Sequence, residues 1–144
     1  MMLPSREIDL AYPTWVDSPE DPELHMRWLF ARNSHGHSLR DTLMALRLSH
    51  GIDVRVSLRA LPFTPMAELY IVNSAEVLFS YCTVTRRGTD PVTREIYDVA
   101  PTGMSMLGRF QATTAGDRDA IFVEQSLLWF DSLWNTISTD LTLS

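Results

Sequence analysis

The chain has no lysine; all twelve of its basic residues are arginines. That is a compositional bias and carries no functional weight. Eighteen acidic residues outnumber them, for a net charge of −6. A duplex-binding face needs clustered cations, so this balance argues against direct nucleic-acid binding. A single cysteine, Cys82, excludes an internal disulfide. No apolar run approaches the ~20 residues of a membrane span, so no membrane partner is expected. The opening Met1-Met2-Leu3-Pro4-Ser5-Arg6-Glu7 lacks the apolar core of a signal peptide. The expected setting is the cytoplasm, and the doubled Met is compatible with a fragment of a longer protein. Internal repeats and low-complexity tracts are missing. The apolar content of 45% is ordinary for a globular chain. One domain able to bury about 70% of its unfolded surface is expected at this length.

Pro4, Pro13, Pro19 and Pro22 interrupt residues 1–23, which read as a lead-in segment ahead of a single domain over 24–144. Tyr12 and Trp15 suggest that this lead-in packs down. Met26, Trp28 and Phe30 alternate, which predicts a strand over 24–32, with 33–37 as a loop. Ser38 and Asp41 fit a capping box, predicting a helix over 38–50 that buries Leu39, Leu43 and Leu46 and stops at Gly51. Strand 52–59 is expected to place Ile52, Val54, Val56 and Leu58 on one face and Asp53, Arg55, Ser57 and Arg59 on the other. That polar face is either solvated or lines a cleft, because a parallel strand covered on both sides is apolar throughout. Asn73-Ser74 predicts a tight turn joining strands 67–72 and 76–84. Residues 86–91 read as a loop and 94–99 as a strand. Residues 102–116 read as irregular, anchored by Met104, Met106, Leu107 and Phe110. A helix is predicted over 117–137, with Asp117 and Asp119 at its positive end and a broad apolar face from Ile121 to Ile137. The expected class is α/β, a mixed β-sheet with helices packed on it.

The spacing in Met66-Ala67-Glu68-Leu69-Tyr70-Ile71-Val72-Asn73 resembles the H-x-K-x4-D motif of the phospholipase D-like superfamily. Met66 stands where that family has its His, Glu68 where it has its Lys, and Asn73 where it has its Asp. A thioether is no nucleophile for phosphorus, and a carboxylate repels the phosphoryl group that a cation would hold. The resemblance therefore implies a surviving fold without catalytic residues, and no enzyme. The chain is similar to the catalytically empty phospholipase D-like domains that follow helix-turn-helix or winged-helix heads in bacterial transcription regulators. Tyr12-Pro13-Thr14, Tyr97-Asp98, Thr102-Gly103 and a closing helix near Trp134 add to that likeness. It implies two domains paired about a twofold axis, hence a homodimer with an isologous interface. It also implies a sensory or dimerisation role, with DNA reached only through a head that these residues do not contain.

Other constellations are weaker. His35-Gly36-His37 offers two metal ligands, but no third lies at a familiar spacing, so no metal or other cofactor is expected. Cys82 sits in an apolar strand, which favours a buried, inert thiol. Arg55 and Arg59 could clamp a carboxylate or phosphate from one face of their strand, or form a solvated ion-pair face. Glu68, Ser80 and Tyr81 would line the former catalytic cleft under the resemblance. Arg55, Arg59, Glu68, Ser80 and Tyr81 are thus the candidate site for a small-molecule effector. Two rival readings are a phosphodiesterase or nuclease with displaced catalytic groups, and a stand-alone interaction module.

Overall fold

The longest element is a helix, α1 (Glu23–His50), and it replaces the strand, loop and short helix expected over the same residues. Leu24, Leu29, Arg32 and Gly36 are its buried positions, spaced for one helical side. Met26 and Phe30, four residues apart, fall on the opposite, exposed side, so their apparent alternation was a partial view of a helical period. The Asp21 carboxylate accepts the Glu23 N–H at 3.0 Å, and Glu23 pairs with Arg27 one turn on. Ser38 therefore lies inside the helix and caps nothing. Gly36 is tolerated mid-helix because Leu143 occupies the space beside it: a Cβ there would lie 2.8 Å from the Leu143 side chain. Gly51 ends the helix in the left-handed conformation (φ 64°), as expected from its position.

The computed structural model describes residues 1–89, 93–101, 103, 106–113 and 116–143. Thr102, Met104, Asp90 and Pro91, which figured in the expectations above, lie outside them. Among the described residues the fold is mixed α/β, with two helices and three small three-stranded sheets. The strands are β1 (Met2–Pro4), β2 (Thr14–Trp15), β3 (Arg59–Leu61), β4 (Ala67–Val72), β5 (Glu76–Tyr81), β6 (Val84–Gly88), β7 (Glu95–Val99), β8 (Gly108–Gln111) and β9 (Thr139–Asp140). The second helix is α2 (Asp117–Asn135). One sheet is mixed, with β3 parallel to β1 and antiparallel to β9. The other two, β2-β7-β6 and β4-β5-β8, are antiparallel. No described helix is long and apolar enough to cross a membrane.

Several boundaries move. Residues 52–58 make no ladder, and the strand begins only at Arg59. Their alternation survives as burial: Val54, Val56 and Leu58 are half-buried, whereas Asp53, Arg55 and Ser57 are exposed, so the polar face is solvated. The strand expected over 76–84 ends at Tyr81, and β6 takes up part of the loop expected at 86–91. Part of the stretch expected to be irregular is β8, which pairs Phe110 with Val77. Phe110 anchors, but Met106 is exposed.

Residues 1–23 are more than a lead-in. They supply β1 and β2, and Trp15 is 1% exposed in a cluster with Leu24 and Ile96. Arg94 fastens this segment. Its guanidinium lies 3.8 Å from the centre of the Trp15 ring and reaches Asp17, Ser18 and Asp21. Such stacking of cation on indole is attractive in its own right. The hydrogen bond from Arg94 holds the Asp17 carboxyl below its ordinary 3.8. Asp21 is held below the same value first by the Glu23 N–H and then by Arg94. Carboxyls depressed in the folded state add stability that is complete above their unfolded value and is lost as pH falls through the folded one. Urea midpoints should therefore fall below about pH 4, and less steeply in an Arg94→Ala variant. Equal acid sensitivity in both proteins would refute the assignment to Arg94.

Candidate functional site

Residues 66–73 run into the β4–β5 hairpin. Its turn residues, Asn73 and Ser74, have φ of 51° and 55°, the left-handed values that tight hairpin turns require. Ala75 N–H closes the turn onto the Val72 carbonyl at 3.1 Å. The register sets Glu68 opposite Ser80 and Ala67 opposite Tyr81. Side chains alternate along a strand, so one face of the sheet carries Leu69, Ile71, Val77, Phe79 and Phe110. Phe122 of α2 packs there, with ring centroids 5.4 Å from Phe79 and 4.2 Å from Phe110. Val77 and Val123 are fully covered. Glu68 and Ser80 point to the other face. Met66 is 80% exposed just ahead of β4.

The structure brings together two of the five candidate residues, Glu68 and Ser80, and separates the rest. Tyr81 is on the α2 side of the sheet, edge-on to Phe79 at 5.0 Å and exposed. Arg55 stands in solvent with Asp53 at 3.7 Å, its side chain 88% exposed; such a pair contributes about 0–1 kcal/mol. Arg59 belongs to another sheet and is committed to the end of α2. Its Nε donates to Ser138 Oγ at 2.9 Å, and its Nη2 to the carbonyls of Ser138 at 2.6 Å and Trp134 at 3.3 Å. Asp140 accepts from Nη1 at 2.9 Å, and the guanidinium lies over the Trp134 ring. A cation there answers the negative end of the helix. The expected convergence on one concavity is thus corrected: Arg59 is a structural clamp, and Ser80 and Tyr81 face opposite sides of the hairpin.

Cys82 is half-buried beside the Tyr12 hydroxyl, and burial pushes its thiol up from the ordinary value. Burial, and then the hydrogen bond with Cys82, push Tyr12 up to about 12. Both groups stay protonated at neutral pH, which suits packing and not nucleophilic attack. His35 and His37 lie on α1 two residues apart, a spacing that turns them to different sides. His37 Nε2 is 2.9 Å from the Leu143 carbonyl. No group of three His, Cys, Asp or Glu side chains suited to a metal occurs among the described residues.

The sequence-based candidates did not include Arg32. It is 7% exposed and tethers β1 to α1 through the Pro4 carbonyl at 2.8 Å, with Asn33 Oδ1 accepting from Nε and Nη2. It lines a concavity of about 420 Å³ with Leu3, Trp28, Ala31 and Leu39. The helical spacing to Leu29 and Gly36 would have flagged it, had 24–32 been taken as helix. No family model matches the chain, and no curated protein or solved structure matches it.

Proposed function

We propose that this chain is a catalytically inactive dimerisation and sensory domain of a bacterial transcription regulator, built on a phospholipase D-like plan. Met66, Glu68 and Asn73 in place of the family's His, Lys and Asp support the loss of catalysis, the spacing of that motif supports the phospholipase D-like plan, and the likeness at Tyr12-Pro13-Thr14, Tyr97-Asp98 and the closing helix near Trp134 supports the regulator setting. The pairing rests on one observation, the surface. The monomer exposes 9787 Å², against about 7,500 Å² for a compact monomer of its mass. The surplus of about 2,300 Å² is the scale that one subunit of an obligate dimer buries. Much of it is apolar. On α2 alone, Ile121, Leu128 and Trp129 are 55%, 57% and 46% exposed, and large apolar patches on a monomer mark interaction sites. Two modes of action suit such a domain: holding two DNA-binding heads at a set spacing, or reading a ligand in the former cleft. The first is better supported, because among the described residues no arginine is paired with Glu68 or Ser80.

Sedimentation velocity at micromolar concentration tests the pairing. A species of twice the chain mass of 16.4 kDa is expected. A single monomeric boundary across that range would refute it.

A further inference from the structure

The homodimer reading leaves open which surface closes the dimer, and α1 carries a pattern that answers this. Five of its large apolar side chains are exposed: Leu39, at 41%, lies on the far side of the helix, and the other four are Met26 at 59%, Phe30 at 77%, Met44 at 38% and Leu48 at 92%. At 100° per residue, all four fall within about 40° of one line along the helix. Leu29, Arg32 and Gly36, on the inward side, are buried instead. The stripe is about 33 Å long. Its positions are symmetric about His37: Phe30 and Met44 lie seven residues to either side, and Met26 and Leu48 eleven. His37 lies on the same line, with Asp41 about 40° and Ser34 about 60° to one side of it; all three are exposed, and the His37 ring also meets the Leu143 carbonyl.

We infer that α1 packs antiparallel against α1 of a second copy, with the twofold axis passing by His37. Met26 then meets Leu48 of the other copy, and Phe30 meets Met44, so the apolar ends cover one another. The inference rests on the homodimer reading above. Asp41 decides the direction. In a parallel pair the two Asp41 carboxylates would face each other across the seam, an unfavourable like-charge contact. In the antiparallel pair each lies beside Asn33 and Ser34 of the other copy. Opposed helix dipoles also favour that arrangement. A stripe of this width suits two helices 8–10 Å apart, the usual separation for packed pairs. An isologous contact of this kind closes at two copies.

The test uses the full chain in a Cys82→Ser background. Leu48→Glu exchanges a solvent-facing side chain for a good helix former, so it leaves the fold intact and should weaken dimerisation at least 100-fold by sedimentation. A His37→Cys variant should form an intermolecular disulfide under mild oxidation, because only the residue on the axis meets itself within disulfide reach. Met44→Cys alone should not cross-link, but should do so when mixed with Phe30→Cys. Self-cross-linking of Met44→Cys without the mixed product would mean a parallel pair and overturn the inference. A Leu48→Glu protein that dimerises as tightly as the parent would overturn it too, assigning the interface to another face such as that of α2 and leaving the homodimer standing. A monomeric parent chain would remove both.

Discussion

Trp15→Ala is expected to remove about 3–5 kcal/mol of folding free energy, the range for large aromatic deletions in a core. That is a large part of the 5–15 kcal/mol that holds a typical domain together. The reason is position. Trp15 is 1% exposed and is shared by β2, β7 and the first turn of α1 through Ile96 and Leu24. Its loss would also leave the Arg94 guanidinium without the ring beneath it. The indole N–H, however, is buried with no hydrogen-bond partner among the described residues. Trp15→Phe should therefore cost much less than Trp15→Ala, since it removes an unpaired donor along with some contact area. Thermal melts of the two variants would show the contrast, on the order of 10 °C in midpoint. Equal loss in both would mean that the indole nitrogen has a partner and that ring size is not what matters.

A second large effect is expected at Arg59, and it separates a clamp from a ligand site. Arg59→Ala takes the donors from the Ser138 hydroxyl oxygen and carbonyl, with Ser138 buried, while the Trp134 carbonyl keeps the Ser138 hydroxyl at 2.9 Å. Hydrogen bonds to charged groups are worth about 1.5–3 kcal/mol, and stranded acceptors add to the loss. A destabilisation of about 2–4 kcal/mol is expected on that basis. Arg55→Ala, by contrast, should lie within about 0.5 kcal/mol of the parent, as solvated surface substitutions do. Denaturant midpoints for the pair would decide. If Arg55→Ala proved as damaging as Arg59→Ala, the solvent-facing position assigned to Arg55 would be wrong.

What could be read from the residues was whatever is fixed locally. Asn73-Ser74 between two apolar runs announces a hairpin because few residues accept the left-handed backbone, and the register follows from the turn. That register made Glu68 and Ser80 neighbours. The helix expected over 117–137, which forms over Asp117–Asn135, was equally plain, as was the stop signal of the other helix at Gly51. The first half of α1 was not, because Met26, Trp28 and Phe30 satisfy a period of two over a short window. Only the longer spacing from Leu24 to Gly36, with Leu143 filling the gap at glycine, decides for a helix. Short strands were the least legible. β1, β2 and β9 have two or three residues each, and their partners lie far away in sequence. The role of Arg59 was hidden for the same reason: its acceptors are about eighty residues further along.

Dividing nine strands among three sheets multiplies edges. A single continuous sheet has two, but here β1, β9, β2, β6, β4 and β8 each have an unpaired side among the described residues. Unpaired backbone donors and acceptors invite strand addition from other chains. Most of these edges are blunted. β2 and β9 are too short to template anything, and β1 ends on Pro4. Arg86 and Arg87 sit on β6, paired across to Glu95 and Asp98, and Arg109 sits on β8, paired with Glu76. β4 is the exception: its six residues, AELYIV, carry one charge and end in three large apolar or aromatic side chains. In a concentrated solution, or on a partly unfolded chain, that strand is where unwanted aggregation would begin, and a charge at Tyr70 or Val72 is the simplest way to prevent it.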